Sequence, residues 1–299
     1  MKSKAEIAEE QKAYIDSLKQ KTVDFLYTID KSQIETILLS GAVARGDFFP
    51  EQDRFSCSCR KILYGDTCFH NSENKFLNMF STKNIIECSK AEFVDLTVMR
   101  KENSNIKAED IFGKNEDKNV PSLHSIKRNK IWYKINFIDF VNFESFRQMQ
   151  IPQRSELLES RILYDINQKY QNELMQIDIW SRVDFKKQLL EEFKYIIYLL
   201  GEHKIDRWNR HQVYVQMNKN LNAAIRTSIH CLYYINGLYY AAEDKCLYYS
   251  LSLEKIPENY SRIIFDLCTQ KLNDEKDYFR RESIFKSEIL RYIEQFIYL

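Results

Sequence analysis

Strand-like apolar runs are predicted only in the first half of this chain, up to about Asp165, and this limits the folds open to it. In the first half, short apolar runs at 34–40, 93–99 and 131–141 are rich in β-branched and aromatic residues, which is typical of strands. Beyond about Asp165, apolar residues recur at helical spacing instead. We therefore expect an α+β fold, in which a mixed sheet with flanking helices is followed by an α-helical bundle.

The scarcity of structure-breaking residues supports long helices in the second half. Only 6 Gly and 4 Pro occur in 299 residues. Two apolar stripes at helical spacing each end at a glycine, Gly201 and Gly237. We place a first domain at 1–165 and a helical domain at 166–299. Within the first domain we also expect a helix at 5–28, a short strand at 161–164 and a solvated turn at His124, Lys127 and Arg128.

Charge and composition exclude some classes of partner. The 44 Lys+Arg and 43 Asp+Glu residues give a net charge of +1, so the chain has no global electrostatic reason to bind nucleic acid or anionic lipid. No apolar run approaches the roughly 20 residues that a bilayer crossing requires. The charged N-terminus lacks the apolar core of a secretory signal, and the 7 cysteines are compatible with reduced thiols. We expect a cytoplasmic protein.

A run of small residues follows the first predicted strand. The strand ends at Ser40 and Gly41, and the chain continues through Ala42 to Arg45, Gly46 and Asp47. Small residues at such a strand-to-helix turn let backbone N–H groups approach a phosphate closely, and Arg45 offers a charge-assisted fork. A glycine after a strand is equally compatible with an ordinary turn.

Two carboxylates lie inside otherwise apolar strands. Asp95 interrupts the run at 93–99, and Asp139 interrupts the run at 131–141. A carboxylate in such a place is costly unless it is exposed, paired or bound to a cation. Beside a phosphate-binding turn, the pair would hold Mg²⁺ that bridges triphosphate oxygens, and one of them would accept a proton. The alternative is that both carboxylates face solvent on half-exposed strands.

These residues resemble a known superfamily. Gly41–Asp47 together with Val94–Val98 is similar to the nucleotidyltransferases of DNA polymerase β type, whose signature is a Gly-Ser turn followed by a strand with an Asp-x-Asp pair and a third Asp on a later strand. The runs 222–227, 232–245 and 252–257 resemble the helical domain of bacterial nucleotidyltransferase-like proteins, which are relatives of antibiotic adenylyltransferases. The resemblance covers roughly 34–265.

The resemblance implies an activity and a set of site residues. The protein would transfer a nucleoside monophosphate from a nucleoside triphosphate, with ATP as the first candidate, to a hydroxyl acceptor with the help of Mg²⁺. Asp95 and Asp139 would be the catalytic residues and the metal ligands. The residues implied in nucleotide binding are Ser40, Gly41, Ala42, Arg45, Gly46, Asp47 and Lys245.

Three departures from the family pattern open an alternative. Ala42 replaces the serine of the Gly-Ser pair, and Phe93 replaces the first aspartate of Asp-x-Asp; the nearby Glu92 does not fall at the matching position. An insertion at about 54–92 separates the turn from Asp95. The alternative function is a degenerate, catalytically weak nucleotide-binding or interaction module. The insertion carries possible zinc ligands that are equally compatible with ordinary loop side chains: Cys57, Cys59, Cys68, His70 and Cys88.

Overall fold

The structure is a computed structural model that describes residues 4–46, 51–52, 90–116, 123–241 and 243–297. The chain forms two compact units. The first, which we call the sheet unit, comprises Glu6–Asn142 and Glu159–Gln171. The second, which we call the helical unit, comprises Met1–Ala5, Phe143–Leu158 and Asn172–Leu299.

A mixed sheet forms the core of the sheet unit. Its strands are β1 (Ile34–Ser40), β2 (Glu51–Gln52), β3 (Lys90–Arg100), β4 (His124–Arg128), β5 (Ile131–Asp139) and β6 (Arg161–Asp165). The spatial order is β4-β5-β3-β1-β6, and β2 pairs with β3. β3 and β5 run parallel, whereas the other neighbouring strands run antiparallel. The sheet and the helices after it confirm the α+β fold class.

The predicted strands are present, and two further strands, β4 and the two-residue β2, were not predicted. The apolar runs at 34–40, 93–99 and 131–141 correspond to β1, β3 and β5, and the run at 161–164 corresponds to β6. β4 lies where the sequence indicated a solvated turn. That interpretation was wrong because His124 is buried in β4, which pairs with β5, and only the far end of the strand is exposed.

Helix α1 (Lys4–Tyr27) covers one face of the sheet and confirms the helix expected at 5–28. Its Phe25 ring stacks on Tyr133 of β5 with a centroid separation of 4.3 Å, and the Tyr133 hydroxyl donates to the carbonyl of Lys21 at 3.4 Å. The Tyr14 hydroxyl donates to Glu92 of β3 at 2.9 Å. These contacts show which side chains of β3 and β5 face the helix, and the side chains between them face the opposite side.

Short helices accompany the sheet and precede the long ones. They are α2 (Gly41–Arg45), α3 (Ala108–Phe112), α4 (Phe143–Gln148) and α5 (Ile151–Glu159). The helices of the second half follow a 3-10 turn at Ile166–Gln168. They are α6 (Lys169–Leu199), α7 (Glu202–Arg210), α8 (Tyr214–Ile235), α9 (Glu243–Ser250), α10 (Tyr260–Cys268), α11 (Glu275–Ile284) and α12 (Arg291–Ile297), with a π-helical segment at Phe285–Leu290 between the last two.

The helical unit is organised around α8, which is buried along most of its length. The first predicted stripe lies on α6, which stops just before Gly201, and the second lies on α8, which stops just before Gly237. Both helices therefore end where the sequence indicated. None of the helices within the described ranges combines the length and the apolar character needed to span a membrane.

Candidate functional site

The turn after β1 is packed directly against Asp95. Gly41 has φ +68°, in the left-handed region that side chains other than glycine rarely adopt. A Cβ at this position would overlap the Asp95 carboxylate and would lie 2.9 Å from its Cγ. The approach follows from the register, because Ser40 is paired with Asp95 across the antiparallel β1 and β3 strands. The structure thus brings together the turn and the first of the two strand carboxylates.

The polar side chains of the turn bind protein groups. The Ser40 hydroxyl is buried and shares hydrogen bonds with the hydroxyls of Thr97 (3.0 Å) and Ser160 (2.9 Å). Arg45 Nη1 lies 3.6 Å from Glu159 Oε2, and the arginine side chain is only 8% exposed. Both side chains are therefore used to fix the turn in the sheet unit.

The remaining residues of the turn supply backbone. Ala42 lies within α2, and the N–H of Gly46 donates to the Ala42 carbonyl at 2.9 Å. Gly46 itself adopts φ +89° and ends the helix. Asp47 lies outside the described residues. Since Ser40 and Arg45 are engaged, the backbone of the turn is the part of it that best suits an anion.

The neighbour of Asp95 on β5 is a lysine. The parallel register pairs Asp95 with Lys134 and Phe93 with Trp132. Residues in register project from the same face of a sheet, and Tyr133 faces α1, so Asp95 and Lys134 lie on the face away from α1. Lys134 Nζ lies 4.2 Å from the centroid of the Phe93 ring, which is a cation–π contact.

Phe93 occupies the position where the resemblance implies the first metal-binding aspartate. Its side chain is 3% exposed and belongs to the core of the sheet unit. Glu92, the carboxylate next to it in sequence, is on the other face, where it accepts from Tyr14 and lies 3.8 Å from Lys21 Nζ. The strand therefore presents Asp95, a half-buried residue, without a second carboxylate at 93.

The structure does not bring Asp139 to Asp95. Asp139 is in register with Arg100, at the far end of β5, and accepts a hydrogen bond from the Arg100 guanidinium. It lies five residues beyond Lys134, which is about 16 Å along the strand and, because five is odd, on the opposite face. The shared site inferred from the sequence is therefore corrected: alternation along one strand shows neither the register nor the facing side of its neighbour.

Asp139 behaves as a surface group. Its side chain is 79% exposed. The hydrogen bond from Arg100 is the main cause that lowers the pKa of the Asp139 carboxyl, and it raises the pKa of the guanidinium in turn. The carboxylate that sequence reasoning placed in a metal site is thus in an exposed ion pair.

Sequence reasoning missed Lys134, although a signal was present. Lys134 is the only basic residue within the apolar run at 131–139, just as Asp95 is the only acidic one within 93–99. The cost argument applied to the carboxylates holds equally for an ammonium group in a strand. The acidic Asp95 in one predicted strand and the basic Lys134 in another would have indicated that these two side chains lie side by side in the sheet.

The other predicted ligands are placed as follows. Lys245 lies on α9 in the helical unit and is exposed. The insertion with Cys57, Cys59, Cys68, His70 and Cys88 lies outside the described residues. Within the part of the chain that the structure describes, no group of three or more His, Cys, Asp or Glu side chains is suited to hold a metal ion. Mg²⁺ stays an expectation.

Comparison with known proteins gives a distant similarity among solved structures. No protein-family model matches the sequence. No curated protein matches it. Among solved structures, the chain is similar to a nucleotidyltransferase-like protein from Exiguobacterium sibiricum 255-15, with a TM-score of 0.37, 10% sequence identity and coverage of 94% of this chain and 72% of that chain.

Proposed function

We propose that the sheet unit binds the phosphates of a nucleoside triphosphate beside the Gly41 turn, with ATP as the first candidate, and that it transfers the nucleotide weakly or not at all. One observation supports this proposal above the others: Asp95 has Lys134 in register on the next strand and Phe93 two residues before it. One acidic, one basic and one aromatic side chain share a place where the resemblance implies several carboxylates.

The charges of Asp95 and Lys134 determine whether the site favours nucleotidyl transfer or nucleotide binding alone. Phosphoryl chemistry with two Mg²⁺ ions needs carboxylates that bridge the metals and neutralise their charge. Asp95 offers two oxygens, and the ammonium of Lys134 repels a cation that approaches it. The same ammonium attracts a polyphosphate and serves as a point charge for it. Lys134 therefore supplies in this proposal the positive charge that a second metal ion supplies in the family pattern.

The turn contributes donors to the same ligand. Gly41 of the turn lies against Asp95, and Ser40 and Arg45 hold the turn in position through Thr97, Ser160 and Glu159. A fixed turn costs little ordering entropy when an anion binds. In this proposal Ser40 and Arg45 position the backbone, and Asp95 and Lys134 face the phosphates.

Calorimetric titration of ATP into the full chain, with EDTA and with Mg²⁺, tests this proposal. We expect binding without Mg²⁺, and about a tenfold loss of affinity in Lys134→Gln, because a charge-assisted contact contributes roughly 1.4 kcal/mol or more. Lys130→Gln is the matched control, since Lys130 lies in the exposed turn between β4 and β5. Unchanged affinity in Lys134→Gln, or no ATP binding at all, would contradict the proposal.

Mg²⁺-dependent transfer to a hydroxyl acceptor is the second candidate. The close packing of Asp95 against Gly41 favours it, because this is where the resemblance implies the second aspartate of the Asp-x-Asp pair. Release of labelled pyrophosphate, with an aminoglycoside as the test acceptor, separates the two candidates. Release by the natural chain that is lost in Asp95→Asn would support transfer. We expect release at the background level.

A further variant examines whether the scaffold is a weakened enzyme. Phe93→Asp, with Lys134→Asp added, places three carboxylates on neighbouring strands. Loss of the buried Phe93 ring costs about 3–5 kcal/mol, so the fold of each variant is first checked by circular dichroism. Mg²⁺-dependent pyrophosphate release by a folded variant would mean that these two positions are what limits transfer.

A further inference from the structure

A buried arginine in the helical unit has no acidic hydrogen-bond or ion-pair partner among the described residues. Arg281 of α11 is 1% exposed. Its Nε donates to the carbonyl of Leu267 at 2.7 Å, and its two terminal nitrogens donate to Asn218 Oδ1 at 2.6 Å and to Asn222 Oδ1 at 2.5 Å. All three acceptors are neutral, and no described carboxylate lies within ion-pair distance of the guanidinium. A buried charge in such surroundings is costly.

The acidic residue one helical turn before Arg281 serves another arginine, and the adjacent Glu282 lies 3.0 Å from Lys286 Nζ. Asp277 lies one helical turn before Arg281, and its Oδ1 is 2.9 Å from Nη2 of Arg280. Its other oxygen accepts from the backbone N–H of Lys271 at 2.7 Å. Asp277 thus bonds other groups and acts on Arg281 only through its charge, which partly offsets the burial that lowers the pKa of the guanidinium.

Arg281 lines a cavity of about 340 Å³. Much of the wall is aliphatic and comes from three helices, with Ile225 and Ile229 from α8, Leu247 from α9 and Leu267 from α10. The lining contains no aspartate or glutamate. The cavity thus combines an apolar wall with a buried cation, and its size is at the lower end of the range of small-molecule sites.

His230 is a further polar group of the lining, which also includes Asn222, Arg226 and Gln270. Its ring stacks on Tyr240 with a centroid separation of 3.7 Å, and its Nδ1 lies 3.4 Å from Glu192 Oε1. Its Nε2 is buried and has no hydrogen-bond partner among the described residues. Because the Glu192 carboxylate can only accept a hydrogen bond, Nδ1 carries the ring proton and donates to it, and Nε2 of this tautomer is an acceptor. Buried polar atoms without a partner are rare in folded proteins and point to a ligand or an ordered water.

We propose that this cavity binds a small amphiphilic anion, in which a carboxylate or phosphate group lies at Arg281 and an apolar body lies along Ile225, Ile229 and Leu247. A guanidinium has five N–H donors, and three of those of Arg281 are used, so one remains on each terminal nitrogen. Two such donors suit the two oxygens of one anionic group. This proposal is independent of nucleotide binding by the sheet unit.

The test compares four small molecules that differ in whether they have an apolar chain, an anionic group or both. Octanoate and octyl phosphate have both, 1-octanol has only the apolar chain, and inorganic phosphate has only the anionic group. We expect either or both amphiphilic anions to raise the melting temperature of the helical unit at millimolar concentration, since ligand binding stabilises the folded state. The better of the two identifies carboxylate or phosphate as the preferred group. Equal stabilisation by 1-octanol, or none by either anion, would overturn the proposal.

Two variants locate the binding. Leu247→Trp adds bulk to the cavity wall without touching the contacts of Arg281, and we expect at least a tenfold loss of affinity for the better probe. Phe265→Trp is the matched control, because Phe265 lies on α10, is 70% exposed and does not line the cavity. Arg281→Met removes the buried charge while Arg226 stays in the lining, and a folded variant should lose most of the preference for octanoate over 1-octanol. Undiminished octanoate binding in Leu247→Trp would place the ligand elsewhere and overturn the assignment.

Discussion

Replacement of Gly41 by alanine tests the packing of the turn against Asp95 most directly. Gly41 has φ +68°, and the methyl group that alanine adds would overlap the Asp95 carboxylate, with Asp95 Cβ 3.1 Å away. Two separate penalties therefore apply at this position. One is the strain of a left-handed alanine, and the other is steric overlap with a side chain on a central strand.

The two penalties have different sizes and different remedies. A left-handed conformation costs a residue with a Cβ about 1–2 kcal/mol. Overpacking in a well-packed interior costs typically about 1–3 kcal/mol more. We therefore expect Gly41→Ala to lower the free energy of unfolding of the sheet unit by about 2–5 kcal/mol. Asp95→Ala in the same chain removes the carboxylate, so the double variant should recover most of the steric part and none of the strain.

Urea denaturation followed by circular dichroism measures the four corners of this double-mutant cycle. Gly237→Ala is the control for strain alone, because Gly237 also has φ +68° but its added Cβ would meet nothing nearer than Phe185 at 3.9 Å. Its cost is taken from the transition of the helical unit, which contains it. If Gly41→Ala costs no more than Gly237→Ala, or if Asp95→Ala fails to relieve it, the carboxylate is not packed against the turn and the reasoning is refuted.

Two further predictions concern charged groups of the sheet unit. Asp139→Asn should leave ATP affinity unchanged in calorimetry, because Asp139 is paired with Arg100 on the opposite face of the sheet from Asp95. The pair is exposed, so its contribution to stability should stay below about 1 kcal/mol; Arg100 holds the pKa of Asp139 low, and the contribution is present at neutral pH and lost as the pH falls through that lowered value. Burial lowers the pKa of His124 below its ordinary value of 6.5, so the unfolded chain takes up a proton before the folded one does. The free energy of unfolding of the sheet unit, measured by urea denaturation, should therefore hold steady above about pH 6.5 and fall below it by at most about 1.4 kcal/mol per pH unit, and His124→Asn should flatten this slope.

Much of the architecture could be predicted because it depends on local pattern. Apolar runs with β-branched residues indicated four strands, and β1 was predicted with the bounds that the structure shows. β4 escaped because it is only five residues long and ends in Lys127 and Arg128, so that charge concealed a strand whose first three side chains are buried. Pairing with β5, a tertiary property, is what makes this segment extended.

In the helical half, too, the local pattern predicted the element but not which of its side chains are buried by tertiary contacts. Ile196 and Ile197 both belong to the predicted apolar stripe that ends at Gly201. They are consecutive and are therefore about 100° apart around the helix. The structure buries Ile196 fully and leaves Ile197 48% exposed. Periodicity located the helix and its end, but the width of the buried face depends on which neighbours pack against it.

The candidate site required register, which no single strand carries. Asp95 and Gly41 could be associated from their sequence pattern, because the turn and the strand belong to one signature. Asp139 and Lys134 lie on the same strand, and only the alignment of β5 with β3 decides which of them accompanies Asp95. If β5 were shifted by five residues relative to β3, Asp139 would be in register with Asp95 and would project from the same face of the sheet.

Phe93, a departure from the family pattern on β3, and Lys134 on β5 fit each other physically. Phe93 places an aromatic ring where a carboxylate would hold a metal ion, and Lys134 Nζ lies 4.2 Å from the centre of that ring. The ring stabilises an ammonium at this point through its electron-rich face, whereas it offers Mg²⁺ no oxygen ligand. The ammonium in turn brings a positive charge to Asp95 without a metal. A site of this composition depends on Lys134 more than on Mg²⁺, so Lys134→Gln, and not chelation, is the perturbation that distinguishes it from a metal-dependent transferase.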